Sequence, residues 1–268
     1  MAHLRIFSYL PNPRVWKATI AGRLCGVDVE VRGAKSSDLK DWLWDFDARP
    51  LSQAGTNGSL PEATVGRVGF KGGRLVKTEA FLAAHPYGTV PAAFSPDGRI
   101  GIFESNSIMR AVARLGADRL QLYGDNAYEA SRIDSFLDAS LVFARDSQIY
   151  LLALRDPEFP TDIHARAAEA FAIYASGIEQ ALAPNRSYLV GDTLSLADIC
   201  FAAELCLFSN ERLHHATLRK RALAPILDVG WTARFPRTAG HFGRLADHPA
   251  FAPDVRPYLQ KLDARAAA

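Results

Sequence analysis

The stretch 4–32, LRIFSYLPNPRVWKATIAGRLCGVDVEVR, decides the fold. LRIFSY at 4–9 reads as a short strand, and Pro11-Asn12-Pro13 ends it. Helical text then runs over 13–25, with Pro13 placed for a first-turn proline and Gly26 for a C-terminal cap. VDVEVR at 27–32 alternates strictly and reads as a second strand. A right-handed crossover between the two makes them parallel.

Outward from this unit, the text at 33–77 loses its period. It carries Trp42, Trp44 and Phe46, a Gly/Ser/Asn/Pro stretch at 52–61 and the glycine-rich GRVGFKGGR at 66–74. A structureless run this long is unusual inside a domain. Two readings stay open: a surface excursion with a short helix around 37–46 whose tryptophans pack onto the body, or a lid over a site. Order returns with a helix at about 78–86, strands at 90–94 and 100–103 around a Pro96-Asp97-Gly98 turn, and a helix from Glu104 to about Leu115. The first part therefore reads βαβ–αββα. Beyond about residue 125 the spacing is helical, as in Ile133-Phe136-Leu137-Ser140-Leu141 and Ala167-Ala170-Phe171-Tyr174-Ile178. The expectation is an α/β domain over 1–120, with 33–77 inserted, and an all-helical domain over 125–268.

Composition bounds the function. Of 268 residues 49% are hydrophobic, and 31 Lys+Arg against 29 Asp+Glu leave a net charge of +2. That excludes a largely disordered chain and gives no global field for nucleic acid. The start MAHLR lacks a signal-peptide core, and the most apolar window, 199–208, is too short to span a bilayer and contains Glu204. No membrane or nucleic-acid partner is expected, and the cytoplasm is the expected location. Cys25, Cys200 and Cys206 lack CxxC spacing, which argues against a disulfide framework or a zinc site. His214 and His215 are adjacent and on a helix face apart, so no metal is expected.

Three motifs stand out. HPYGTVPAAF at 85–94 sets a helix stop, a glycine turn and Val-Pro before a strand, where proline is tolerated for want of an N–H. FESNSI at 103–108 puts Glu104-Ser105 at a strand–helix junction, where free backbone N–H groups make a carboxylate site or where Ser105 caps its own helix. Ser195-x-x-Asp198, inside YLVGDTLSLADI, is a variant capping box that nucleates a buried helix.

In this order and spacing the three segments resemble the cytosolic glutathione transferase superfamily, over nearly the whole chain except about 33–77. GHFGRLADHPAF at 240–251 is similar to the family's final core helix. RVWKATIAGRLCGVDVEV and FESNSI are especially similar to the glutathione-transferase-like domain of the elongation factor 1 gamma subunit. The resemblance implies a thioredoxin-like first domain and glutathione as co-substrate. It implies a cis Pro91, a Val90 backbone that pairs with the cysteinyl part of glutathione, and Glu104 and Ser105 holding the γ-glutamyl group. The thiol-activating residue of the family follows the first strand, where this chain reads YLPNPR at 9–14 rather than the commonest Tyr, Ser or Cys patterns. Asn12 is the candidate, with Ser8 as a fallback and Arg14 as added positive charge. The second substrate is expected against the helix around 130–155, where Phe136, Phe143 and Tyr150 suggest an aromatic acceptor.

The expected activity is thiolate attack on a hydrophobic aromatic electrophile, with β-etherase-type cleavage of an aryl ether as its specific version. The alternatives are a non-catalytic interaction module of the elongation factor 1 gamma kind and a glutathione-dependent isomerase. That subunit has a further C-terminal domain whereas this chain stops at Ala268, which weighs toward the enzyme. A homodimer is expected, with a heterodimer with a related chain left open.

Overall fold

The computed structural model describes residues 3–54, 62–65, 70 and 74–267. Two compact units divide the chain, Met1–Leu120 and Gln121–Ala268.

In the first unit, strand β1 (Leu4–Tyr9) leads into helix α1 (Pro13–Cys25) and strand β2 (Val29–Ala34). Pro13 occupies the first turn of α1, and Gly26 closes it in the left-handed region at φ 70°. The second strand starts later than its alternation suggests, because the Val27 amide still donates to the Gly22 carbonyl and completes the helix end. The main sheet also contains β7 (Ala92–Phe94) and β8 (Gly101–Phe103), in the order β2-β1-β7-β8. β1 and β2 are parallel, whereas β7 runs antiparallel to both β1 and β8. A short helix α2 (Glu79–Ala84), capped by the Thr78 hydroxyl, precedes β7, and helix α3 (Ser105–Leu115) follows β8.

The 33–77 segment departs from expectation. In place of a helix around 37–46 there is a single 3-10 turn, Leu39–Asp41, followed directly by strand β3 (Trp42–Trp44). With β4 (Arg49–Pro50), β5 (Thr64–Val65) and β6 (Arg74–Lys77) it builds a second sheet, ordered β4-β3-β6-β5. The aromatic residues of Trp42-Leu43-Trp44 favour the strand, and the Trp44 indole N–H, donating to the Leu39 carbonyl at 3.0 Å, secures the turn before it. The tryptophans do pack onto the body. Phe7 of β1 stacks on Trp42 at 6.0 Å and meets Trp44 edge-on at 5.3 Å. Trp44, Leu39, Leu75 and Phe81 share one buried core with Phe7, Ala92 and Phe94 of the main sheet. At the margin of this core Arg5 lies over the Phe46 ring at 4.4 Å and pairs with Glu30 and Asp47. The second sheet thus covers one face of the first. Most of the 52–61 and 66–74 stretches lies outside the described residues.

The second unit is all-helical: α4 (Ala127–Ala153), α5 (Thr161–Ala181), α6 (Leu196–Phe208), α7 (His215–Lys220), α8 (Trp231–Arg234), α9 (Pro236–Asp247) and α10 (Ala252–Ala267). Asn126 caps α4 by accepting from the Tyr128 and Glu129 amides. The capping box of α6 is formed, and Asp198 also accepts from the Leu189 amide at 3.0 Å and bonds His241 Nε2 at 2.8 Å. Stacked rings, Phe171 on Phe208 at 5.3 Å and Phe143 on Tyr174 at 4.6 Å, fill the centre. The buried Glu211 accepts from the Tyr150 hydroxyl and from the Ile226 and Leu227 amides. Among the described residues no helix is long and apolar enough to cross a membrane.

Candidate functional site

Register brings three of the singled-out segments to one end of the main sheet. Phe7 pairs with Ala92 in antiparallel sense, so the turn after Tyr9 lies beside Val90-Pro91. Ala92 pairs with Phe103, so Glu104 emerges at that same end. The chain ends of β1, β7 and β8 therefore meet where sequence reasoning places a ligand.

After β1, Asn12 is the N-cap of α1. Its Oδ1 accepts from the Arg14 amide and its Nδ2 donates to Ser8 Oγ, each at 3.0 Å. Asn12 and Ser8 are both buried, at 1% and 0% exposure. The Asn12 side chain thus already has a capping role, and a thiolate would have to be met by the second hydrogen of Nδ2. Arg14 is half-buried in the first turn of the helix.

Before β7, the loop is held from three sides. The Gly88 amide donates to the His85 carbonyl at 2.9 Å, and Gly88 itself takes φ 58°. Lys77 Nζ donates to the Gly88 carbonyl at 2.7 Å, and the Thr89 hydroxyl lies 3.3 Å from His85 Nε2. The Val90–Pro91 peptide bond is cis. Among the described residues the Val90 N–H and C=O have no hydrogen-bond partner, since β7 begins only at Ala92. His85 is buried against Phe103, with ring centroids 5.1 Å apart, and its Nδ1 is without a partner among the described residues. Burial, reinforced by the nearby Lys77 charge, pulls its pKa below the ordinary histidine value.

At the start of α3 the capping reading of Ser105 is corrected. Glu104 is the N-cap, at φ 65° and ψ 122°, and makes no side-chain capping bond. Ser105 is the first helical residue, and its Oγ accepts from Lys17 Nζ at 3.3 Å. Lys17 is fully buried on α1 and also donates to Asn106 Oδ1 at 2.7 Å. The helix therefore begins without a side-chain cap on its first amides, the arrangement that suits an anion. Glu104 holds a backbone conformation that costs a non-glycine residue about 1–3 kcal/mol.

Lys17 and His85 escaped sequence reasoning. Lys17 has a signal, a lysine that is the single charged residue of the mostly apolar VWKATIAG. The aromatic acceptor residues fare differently. Phe143 and Tyr150 are 2% and 0% exposed and belong to the core of the helical unit, while Phe136 is half-buried beneath the Arg132 guanidinium. All three cysteines are buried and outside any disulfide, and burial raises the thiol pKa of Cys25 and Cys206, which removes those two as nucleophiles at neutral pH. Among the described residues no group of His, Cys, Asp or Glu could hold a metal ion.

A family model described as the glutathione S-transferase C-terminal domain matches residues 147–249. A probable elongation factor 1-gamma 1 from Arabidopsis thaliana is 30% identical over 190 residues, covering 68% of this chain and 40% of that protein. The chain spans about two fifths of the length of the elongation factor relatives it matches. A glutathione S-transferase-like protein, LUC7, from a Fusarium species is 28% identical over 221 residues, covering 81% of this chain and 82% of the relative. Among solved structures, a glutathione S-transferase of Methylobacterium radiotolerans in complex with glutathione sulfonate superposes with a TM-score of 0.63 at 18% identity, covering 94% of each chain. One from Methylobacillus flagellatus with glutathione bound gives 0.64 at 14% identity, covering 94% of this chain and 98% of the other. At these identities the structural likeness establishes the fold.

Proposed function

This chain belongs to the cytosolic glutathione transferase superfamily, and from that premise we propose that it binds glutathione at the β1, β7 and β8 end of its first unit and transfers it to a hydrophobic aromatic electrophile. The observation that carries the reading is the convergence there of an unpaired Val90 backbone and an uncapped helix start at Ser105. The Val90 N–H and C=O offer one donor and one acceptor to an extended peptide. The first amides of α3 and the Ser105 hydroxyl offer donors to the γ-glutamyl carboxylate, and Glu104 offers a carboxylate to its ammonium.

Glutathione supplies the nucleophile: its sulfur forms a bond to the electrophilic carbon, the halide or aryloxide leaves with its electron pair, and the thiol proton passes to solvent. The protein's task is to keep that proton off the sulfur. A free thiol has a pKa of about 8.5, so lowering it by about two units takes roughly 2.7 kcal/mol. One hydrogen bond to the anion, about 1.5–3 kcal/mol, together with the N-terminus of α1 covers this requirement. In this reading Asn12 Nδ2 is the donor, with Ser8 behind it and Arg14 adding charge from the same turn.

Aryl ether cleavage of the β-etherase type is the specific version of the reaction. The second reading, a non-catalytic module, is favoured by the similarity to elongation factor 1-gamma proteins and by the capping role Asn12 already fills. Calorimetric titration with glutathione, followed by turnover assays on aryl halides and aryl ethers, separates the readings. Binding with turnover supports the transferase, absence of turnover supports the module, and absence of binding overturns the glutathione site itself.

A further inference from the structure

We propose that the helical unit carries a binding site of its own, for an uncharged two-ring aromatic molecule, in a hollow between the first half of α5 and the segment 224–235. The hollow lies wholly within the second unit, so the proposal does not depend on the glutathione reading above. It measures about 320 Å³ and is walled by Phe171, Phe235, Ile226, Pro225, Ala168 and Ala172.

Size and walls set the shape of the ligand. An apolar cavity of about 150 Å³ accepts benzene, so twice that volume suits two rings. Phe171 is stacked on Phe208 at 5.3 Å and meets Phe235 and Trp231 edge-on at 6.1 and 6.2 Å, which surrounds the hollow with aromatic surface. Ala168 and Ala172 stand four residues apart on one face of α5. Leucine at either position would fill the space with almost no loss of helix propensity, so the fold itself does not require the hollow.

Charge sets the ligand's class. The ionic groups at the hollow answer one another: Arg234 Nη2 lies 3.2 Å from Asp228 Oδ1, which also accepts from the Gly230 amide at 2.9 Å. His164 Nε2 donates to the Ala224 carbonyl at 2.9 Å and so holds the opposite wall. An ionic ligand would have to break the Arg234–Asp228 pair, whereas an uncharged one leaves it intact. The wall is also fixed in advance. The buried Glu211 carboxylate accepts from the Ile226 and Leu227 amides at 2.9 and 2.8 Å, so little ordering cost remains for binding.

The test is calorimetric titration at pH 8 with 2-naphthol and with the anion 2-naphthoate. The proteins are wild type, the double variant Ala168→Leu/Ala172→Leu, and Asp228→Asn. Wild type is expected to bind 2-naphthol with a Kd of about 0.1 mM and 2-naphthoate at least about tenfold more weakly. The double variant should lose at least about tenfold in 2-naphthol affinity while melting no lower than wild type. Asp228→Asn leaves Arg234 without its carboxylate, so it should shift the preference about tenfold toward 2-naphthoate. This variant tests the proposal even if the leucine pair fails to fold. Wild type that binds no 2-naphthol at about 1 mM, or binds both ligands equally, would overturn the proposal. So would an unchanged preference in Asp228→Asn, or full 2-naphthol affinity in a folded double variant, which would put the ligand elsewhere on the protein.

Discussion

Asn12 and Ser8 are joined by a 3.0 Å hydrogen bond in which the amide Nδ2 donates to the hydroxyl oxygen, with both side chains buried at the mouth of α1. The bond ties the last inward-facing side chain of β1 to the cap of the helix that follows. Any thiol-activating role for this turn is therefore coupled to the stability of α1, and substitutions there act on both.

Two variants of Asn12 separate these effects. Asn12→Ala removes the cap and is expected to destabilise the protein by about 1–2 kcal/mol. Asn12→Asp keeps an equally good capping oxygen, and the Ser8 hydroxyl can reverse to donate to it. Both variants lose the amide donor, which raises the pKa of a bound thiol by roughly one to two units. Rate against pH is the measurement: the loss should shrink as pH approaches about 8.5, where the thiolate forms unaided. A pH-independent loss would reassign Asn12 to positioning substrate, and a fully active Asn12→Asp would exclude the amide as activator.

Ser105→Ala should weaken glutathione binding by about 1.5–3 kcal/mol, the worth of a hydrogen bond to a charge. No capping loss accompanies it, because Ser105 is not the cap. Calorimetry giving an unchanged affinity would remove Ser105 from the site.

Glu104→Gly should move stability and binding in opposite directions. At φ 65° a glycine relieves strain, so the denaturation midpoint should rise by about 1 kcal/mol equivalent. Glutathione affinity should fall with the loss of the carboxylate opposite the γ-glutamyl ammonium. A variant both more stable and equally tight in binding would show that Glu104 serves the backbone alone.

Acidification should loosen the loop before Val90. His85 has a folded-state pKa below the ordinary 6.5, through burial first and the Lys77 charge second. The unfolded chain then binds more protons than the folded one below that value, so stability is fully present above about pH 6.5 and is lost as pH falls toward the folded pKa. His214, also lowered by burial and next by Arg155, has the same sign. His85→Gln retains the second contribution and removes the first. Urea midpoints between pH 7 and pH 5 should therefore fall less steeply in the variant, and equal slopes would refute the assignment.

The parts of this molecule that could be read from its sequence are those with a period or a punctuation mark. Pro13 and Gly26 bracket α1, and Ser195 with Asp198 marks the start of α6. Val90-Pro91 and Glu104-Ser105 stood out because each breaks or starts an element. The second sheet was illegible because its strands have only two to four residues, too few for alternation to show. Lys17 was hidden for a different reason. A lysine in a helix is ordinarily solvated, and only the arrival of α3 from 88 residues away turns this one into a buried donor.

The pairing of Leu43 with Val76 and of Trp44 with Lys77 closes residues 45–76 at a neck. The entropy of closing a loop grows only with the logarithm of its length, about 0.6 kcal/mol for each doubling. Closure entropy therefore sets little limit on the length of the chain beyond the neck, whereas the buried Leu43 and Val76 at the neck, and Phe46 and Ala48 beyond it, are tied to the core. The neck thus holds Trp44 edge-on against Phe7, and with it the side of the sheet from whose strand ends Val90 and Glu104 emerge.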